Sequence, residues 1–304
     1  MSADLLTPEA LAQMETLSLR ARSLVESILT GTHRGNQRGF SVDFAEHRDY
    51  SPGDDVRFLD WKLYGRRDRF YVRQFEDENQ LQAWLLLDVS GSMRYCSQSS
   101  PLNKLNYAAC LAAAIGWMTC YQRDKAALLC FDDSIESIIG PLYGTAGTQT
   151  LINQLEALLQ LHQAGKTTSL EDENWTGLLK AAERVPEKSI VILLTDAFGD
   201  LAAFRRALRL LQLKKCDVRL LHILDTAEKT FPFEGSVLFR DLEGSGDQQI
   251  QAQAIRTGYL EEFHQFLHDL KKATGETNCR YHQVDTSSPA ETTLRSILQS
   301  GRKA

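Results

Sequence analysis

The chain has 304 residues, 43% of them hydrophobic and 24% charged, with a formal net charge of −6. That length and apolar content suffice for one large core, or for one core carrying an elaborated arm. The acidic balance argues against a protein that holds nucleic acid mainly through phosphates, because such binding needs a basic surplus.

In chain order, the opening MSADLLTPEALAQMETLSLR carries acids early and has no apolar run of the kind a signal peptide needs. Residues 7–30 show helical spacing through Leu11, Met14, Leu17, Ala21, Leu24, Val25 and Ile28, until LTGTHRGNQRG breaks the pattern. Residues 40–80 are polar and dense in charged and aromatic side chains, with SPGDD as a turn. Residues 1–80 therefore read as an N-terminal helix and a charged, aromatic arm, and residues 81–304 as the main domain.

Beyond residue 80 the texture changes. LQAWLLLD, KAALLCFDD, KSIVILLTD and DVRLLHILD are short apolar runs, each closed by an acid. Helical stretches fall between them at about 103–122, 147–162, 174–185 and 200–214. Near-continuous apolar strands alternating with helices predict a doubly wound, mostly parallel α/β sheet of Rossmann type, covered on both faces. Residues 236–253 read as a hairpin with a Gly-rich turn. A helix (about 256–274), the strand CRYHQVD and a last helix (about 289–300) complete the chain. The most apolar helical run, YAACLAAAIGWMTC at 107–120, is shorter than the roughly 20 residues a membrane span needs. A cytoplasmic protein with no membrane span is expected. The six scattered cysteines, with no C-x-x-C pair, read as small core residues of a reducing compartment.

In open α/β sheets ligands bind beyond the carboxyl ends of the strands. Asp88 stands at one such end, in DVSGS, with Ser90 and Ser92 at alternate positions after it; Asp196, in LLTDAFGD, stands at another. Between them GKTTSL, residues 165–170, supplies hydroxyls from Thr167 and Thr168. If these loops converge they offer oxygen ligands only. That suits a hard cation such as Mg²⁺, with Mn²⁺ as an alternative. Each residue also has a plainer role: Asp and Ser after a strand commonly cap helices and shape turns. In the arm, Arg48, Asp54, Asp55, Arg57 and Asp60 read as an ion-pair network pinning the arm, with Trp61 as a packing anchor. Alternatively, Arg66 and Arg67, with Arg69 and Arg73, meet an acidic partner. His264 and His268 share a helical face at zinc-pair spacing and read as surface residues.

The strand-end pattern resembles the metal-ion-dependent adhesion site (MIDAS) of von Willebrand factor A domains. There D-x-S-x-S, a Thr and an Asp come from three loops. Asp88, Ser90, Ser92 and Asp196 match it. Thr168 is preferred over Thr167 because TSL fits the usual T-x-L continuation. The arm narrows the resemblance further. Phe44, Glu46, Arg48, Tyr50, Pro52, Gly53, Asp54, Asp55, Arg57, Asp60 and Trp61 are followed by GRRDR and then the D-x-S-x-S strand. This order is similar to that of the domain-of-unknown-function 58 family. The resemblance implies a bacterial or archaeal von Willebrand factor A-like domain with a MoxR-type AAA+ ATPase and a client protein as partners. It also implies a match to the compact, soluble members rather than those with membrane segments. The function expected is a non-enzymatic, metal-dependent protein-binding module. The rival expectations are a metal-assisted, phosphatase-like hydrolase, or a scaffold with a vacant site. Ser90 stands where an aspartyl-phosphate phosphatase has its second acid, and no G-x-S-x-G, P-loop or H-E-x-x-H motif is present.

Overall fold

The computed structural model describes residues 6–32, 46–49, 71–74, 81–163, 175–240 and 247–300. The protein divides into two compact units: Thr32–Gln80, and Met1–Gly31 together with Leu81–Ala304. In the smaller unit the described residues form an antiparallel pair, β1 (Glu46–Asp49) and β2 (Tyr71–Gln74), with Arg48 opposite Val72.

The larger unit is built on β3 (Gln82–Asp88), β4 (Lys125–Phe131), β5 (Ile135–Leu142), β6 (Ile190–Thr195), β7 (Asp217–Leu224) and β10 (Arg280–Asp285). Among the described residues these strands form one sheet in the order β10-β7-β6-β3-β4-β5. All neighbours run parallel except β5, which returns antiparallel to β4. A separate hairpin pairs β8 (Ser236–Arg240) with β9 (Asp247–Gln251).

The strands are apolar throughout because helices cover both faces and alternate side chains point to opposite layers. Leu85 and Leu87 of β3, Leu128 and Cys130 of β4, and Ile192 and Leu194 of β6 enter one core. Helices α1 (Pro8–Gln13), α2 (Leu17–Thr32), α3 (Lys104–Tyr121), α4 (Gly144–Gln163) and α9 (Ala290–Ser300) contribute to that same core. Trp84 and Leu86, Leu129 and Phe131, and Val191 and Leu193 enter the other, with α5 (Thr176–Arg184), α6 (Leu201–Leu213) and α8 (Ala252–Glu276). The short helix α7 (Thr226–Thr230) follows β7. This is the doubly wound α/β architecture expected from the apolar runs. Among the described residues no helix is long and apolar enough to cross a membrane.

Two details depart from the sequence pattern. The helical spacing over 7–30 is carried by two helices, because Thr16 accepts from Leu19 N–H at 3.2 Å and starts a new one. The Arg20 guanidinium then ties the break together by donating to Met14 O at 2.9 Å. Both helices also belong to the sheet unit and not with residues 32–80. Leu11, Leu17, Ala21, Leu24, Val25 and Ile28 are buried in its core, and Arg295 of α9 donates to Ser27 O at 3.0 Å. The reason is α3: it is apolar on nearly every side, so it needs cover on the side away from the sheet as well. Cys110, Cys120, Cys130 and Cys279 are buried free thiols, Cys216 is half-buried and Cys96 exposed.

The start of α5 lies tight against the β4–β5 turn. A Cβ on Gly177 would stand 2.0 Å from Asp132 O and 3.0 Å from Ser134 O, and both are backbone atoms that cannot yield locally. Gly177→Ala is expected to destabilise the protein by about 3 kcal/mol or more. Gly258→Ala, in α8 with open space around its Cβ, should stabilise it by roughly 0.5–1 kcal/mol. Urea midpoints moving in opposite directions at unchanged slope would verify both.

Candidate functional site

The chain runs from β3 outward to β4 and β5, then comes back to β6 on the other side of β3. The crevice between β3 and β6 is therefore the switch point of the sheet, where the outgoing loops diverge and leave room. Leu87 pairs with Leu194, so Asp88 and Thr195 emerge side by side.

Asp88 is 2% exposed and bonded through both oxygens. Oδ1 accepts from the Ser90 N–H at 2.9 Å, which turns the chain away from the strand. Oδ2 accepts from the Thr195 hydroxyl at 2.5 Å. Thr195 Oγ1 in turn accepts from Ala197 N–H at 2.9 Å. The chain after Asp88 closes into a single 3-10 turn, Ser92–Arg94. This leaves Ser90 Oγ and Ser92 Oγ 3.2 Å apart. The Ser92 hydroxyl also hydrogen-bonds the Asp196 carboxylate. Asp88, Ser90, Ser92 and Asp196 are thus brought together as the sequence pattern requires. Thr167 and Thr168 lie outside the described residues, as do Asp54, Asp55, Arg57, Asp60, Trp61, Arg66 and Arg67. Of Arg48 only the backbone pairing in β1 is described.

Asp196 is 4% exposed and heavily bonded. Its Oδ1 accepts from Phe198 N–H at 3.2 Å, and its Oδ2 accepts from Lys104 Nζ at 2.7 Å. Lys104 begins α3, is 1% exposed, and reaches Glu228 Oε1 at 2.6 Å on its other side. Glu228 is anchored in its turn: its Oε2 accepts from Asp225 N–H at 2.7 Å in the capping box that opens α7. The backbone carbonyl of Asp196 lies 2.8 Å from His222 Nε2, and His222 Nδ1 lies 2.8 Å from Tyr281 OH. A carbonyl can only accept, so Nε2 carries the proton and Nδ1 accepts from the phenol.

Electrostatics separate the two aspartates. Burial, and then the neighbouring Asp196 charge, push the Asp88 carboxyl up to about 7. Burial pushes Asp196 up as well, but the Lys104 ammonium outweighs it and holds Asp196 below the ordinary carboxylate value. Burial lowers Lys104, yet Asp196 and Glu228 together outweigh that and raise it. Glu228 is raised because its own burial outweighs the lysine. His222 is lowered to about 4 by burial and stays neutral. Among the described residues Asp88 has no cationic side chain against it; Asp225, also buried without one, is instead met by the Ser97 and Ala227 N–H groups.

A second Asp-x-Ser turn shows what such a loop looks like when it is closed. At the end of β10, Asp285 Oδ1 accepts from Ser287 N–H at 2.8 Å and from the Thr226 hydroxyl at 2.9 Å. Lys229 then pairs with its other oxygen. The local motif is the same, but its charge is met within the chain. Among the described residues no three His, Cys, Asp or Glu side chains gather as a metal cluster; at the β3–β6 crevice the acids are two and the remaining donors are hydroxyls. His264 and His268 are exposed on α8.

Sequence pattern missed Lys104, Thr195, His222 and Glu228. A signal existed for the first: Lys104 opens a helix whose next residues are almost all apolar, so its charge needed a buried partner.

Residues 46–266 match the family described as "Protein of unknown function DUF58". The chain belongs to the DUF58 family. The matched part of this DUF58 chain includes Asp88, Ser90, Ser92, Lys104, Asp196, His222 and Glu228, and leaves out α1, α2, β10 and α9. Uncharacterized proteins of Mycobacterium tuberculosis and Mycobacterium bovis are 26% identical to it over 242 residues, 79% of this chain and 73% of theirs. Among solved structures, BatB from Bacteroides thetaiotaomicron, described as a conserved hypothetical protein, is 17% identical over 74% of this chain and 100% of that one, with a TM-score of 0.46. An aerotolerance-related membrane protein from Bacteroides fragilis gives the same identity, coverage and score.

The Asp88 shift has a consequence for stability. The unfolded side chain loses its proton near 3.8 and the folded one near 7. Between those values the folded state binds more protons, so stability falls as pH rises through the window. Asp88→Asn removes the buried charge while keeping an acceptor for Ser90 N–H. In EDTA at pH 8 its Tm is expected to exceed wild type by roughly 5 °C, taking about 2–4 °C per kcal/mol. Near pH 4 the difference should vanish. Thermal melts across pH 4–8 would check both.

Proposed function

We propose that this DUF58 protein is a non-enzymatic, divalent-metal-dependent protein-binding module of the von Willebrand factor A-like kind. The observation that carries this is Asp88: a buried carboxylate at the sheet's switch point, beside a second carboxylate, with no cationic side chain against it among the described residues. The donor set suits a hard cation. With metal–oxygen bonds of ~2.1 Å, adjacent ligands of an octahedron stand about 3 Å apart, and Ser90 Oγ and Ser92 Oγ are separated by 3.2 Å. Asp88, Ser90 and Ser92 would hold Mg²⁺ or Mn²⁺ with Asp196 alongside, and family resemblance adds Thr168. The ion would supply an electrophilic position for a carboxylate from another protein.

The rim fits a protein partner. Phe198 follows the site aspartate by two residues and is 63% exposed. Ala197 between them holds a left-handed φ of 54°, which a non-glycine residue adopts at a cost of about 1 kcal/mol. An exposed aromatic beside a buried acid is the composition of an interface anchor. Family resemblance points to a MoxR-type AAA+ ATPase as that partner, acting with this module on a client protein in the cytoplasm.

The hydrolase reading has less support. Its second acid is replaced by Ser90, and the buried imidazole nearest the site, His222, is engaged through both ring nitrogens.

Saturating Mg²⁺, at about 100 times its dissociation constant, stabilises a protein that binds it only when folded by about 2.7 kcal/mol. The wild-type Tm at pH 8 is therefore expected to rise by roughly 5 °C, and that of Asp88→Ala to stay fixed. A pull-down from native lysate should recover an AAA+ ATPase with wild type in Mg²⁺, and lose it in EDTA or with Asp88→Ala. Equal recovery with wild type and Asp88→Ala, each in Mg²⁺ and in EDTA, would move the contact away from the metal site.

A further inference from the structure

We infer that Lys104 is a positioning residue that keeps Asp196 out of direct contact with the bound cation, so that the ion retains surplus positive charge for a partner's carboxylate. This rests on the metal-site reading above and assigns a role to a side chain outside the donor set.

The geometry leaves Asp196 little to give. Its Oδ2 is taken by Lys104 at 2.7 Å and its Oδ1 by Phe198 N–H at 3.2 Å, and the Ser92 hydroxyl bonds the same carboxylate. Lys104 cannot swing away. It is 1% exposed and clamped from the far side by Glu228 at 2.6 Å. Glu228 is fixed by Asp225 N–H at 2.7 Å, and its backbone carbonyl accepts from Tyr259 OH at 3.0 Å, which binds α7 to α8. The ammonium is therefore a built-in cation at a set position, not a mobile surface charge.

The consequence is a matter of charge. With Asp196 paired to Lys104, a divalent ion meets hydroxyls and Asp88, which among the described residues has no cation against it. It keeps a net positive charge and binds through water on the Asp196 side. Without the lysine, Asp196 becomes a second anionic ligand, holds the ion harder and leaves it less receptive to an incoming carboxylate.

The test uses Mn²⁺ on the full chain, read by calorimetry for affinity and by water-proton relaxation for the number of metal-bound waters. The lysine is removed as Lys104→Met together with Glu228→Gln, which avoids stranding a second buried carboxylate; Glu228→Gln alone is the control. Relative to Glu228→Gln, the double variant is expected to bind Mn²⁺ about 10-fold tighter, as removal of a nearby like charge requires, with one fewer bound water and weaker uptake of acetate by the loaded protein. Glu228→Gln should match wild type in bound waters. Mn²⁺ binding by the double variant no tighter than by Glu228→Gln would overturn the role of Lys104. A second variant leaves Lys104 in place: Asp196→Asn should bind Mn²⁺ with the wild-type number of waters, and a gain of one would mark Asp196 as a direct ligand and sink the inference, even if the double variant does not fold. Failure of wild type itself to bind Mn²⁺ would remove both this inference and the metal-site reading.

Discussion

The ion triad Asp196–Lys104–Glu228 is the interaction on which the site depends. Three elements far apart in sequence meet there: the end of β6, the start of α3 and the first turn of α7. Burying one ammonium between two carboxylates is tolerable only because each member is further hydrogen-bonded; a missing partner would leave an uncompensated charge in low dielectric. The triad also breaks the symmetry between two aspartates at adjacent strand ends. The lysine holds one below the ordinary carboxylate value, while burial and the neighbouring charge push the other up to about 7. The chemistry of the crevice follows from that asymmetry more than from the number of acids in it.

The rest of the fold serves to hold this arrangement still. β3 and β6 are buried on both faces, so Asp88 and Thr195 leave the sheet at fixed positions. α3 brings Lys104 in because its other residues are apolar and the core draws the whole helix inward. α1 and α2 matter for the same reason: they complete the cover over α3. His222 and Tyr281 support the site from behind by holding the Asp196 backbone, so the loop carrying Phe198 starts from a braced point.

What could be read from the chain follows the range of the interactions involved. The parallel strands were legible because double-sided burial writes itself as unbroken apolar runs. Asp88, Ser90 and Ser92 were legible because their spacing is local. β5 was not foreseen: as an edge strand it is only half-buried, and IESIIGPL carries neither an unbroken apolar run nor a clean alternation. The five-residue α7 is too short for any helical period to show. Lys104 and Asp196 are 92 positions apart, and no local pattern encodes a pairing at that distance. The break between α1 and α2 rested on a single capping threonine inside an otherwise continuous apolar spacing.

β5 has a consequence of its own. Among the described residues it closes one side of the sheet, where unpaired backbone groups would invite another chain to add a strand. This border is poorly suited as a template. Its register against β4 is irregular at two places, Gly140 sits at φ 94°, and Pro141 brings no N–H to offer. Glu136 adds a charge along it. A chain with so apolar a core has reason to be hard to extend sideways. Growth by pairing sheets edge to edge is discouraged at this flank.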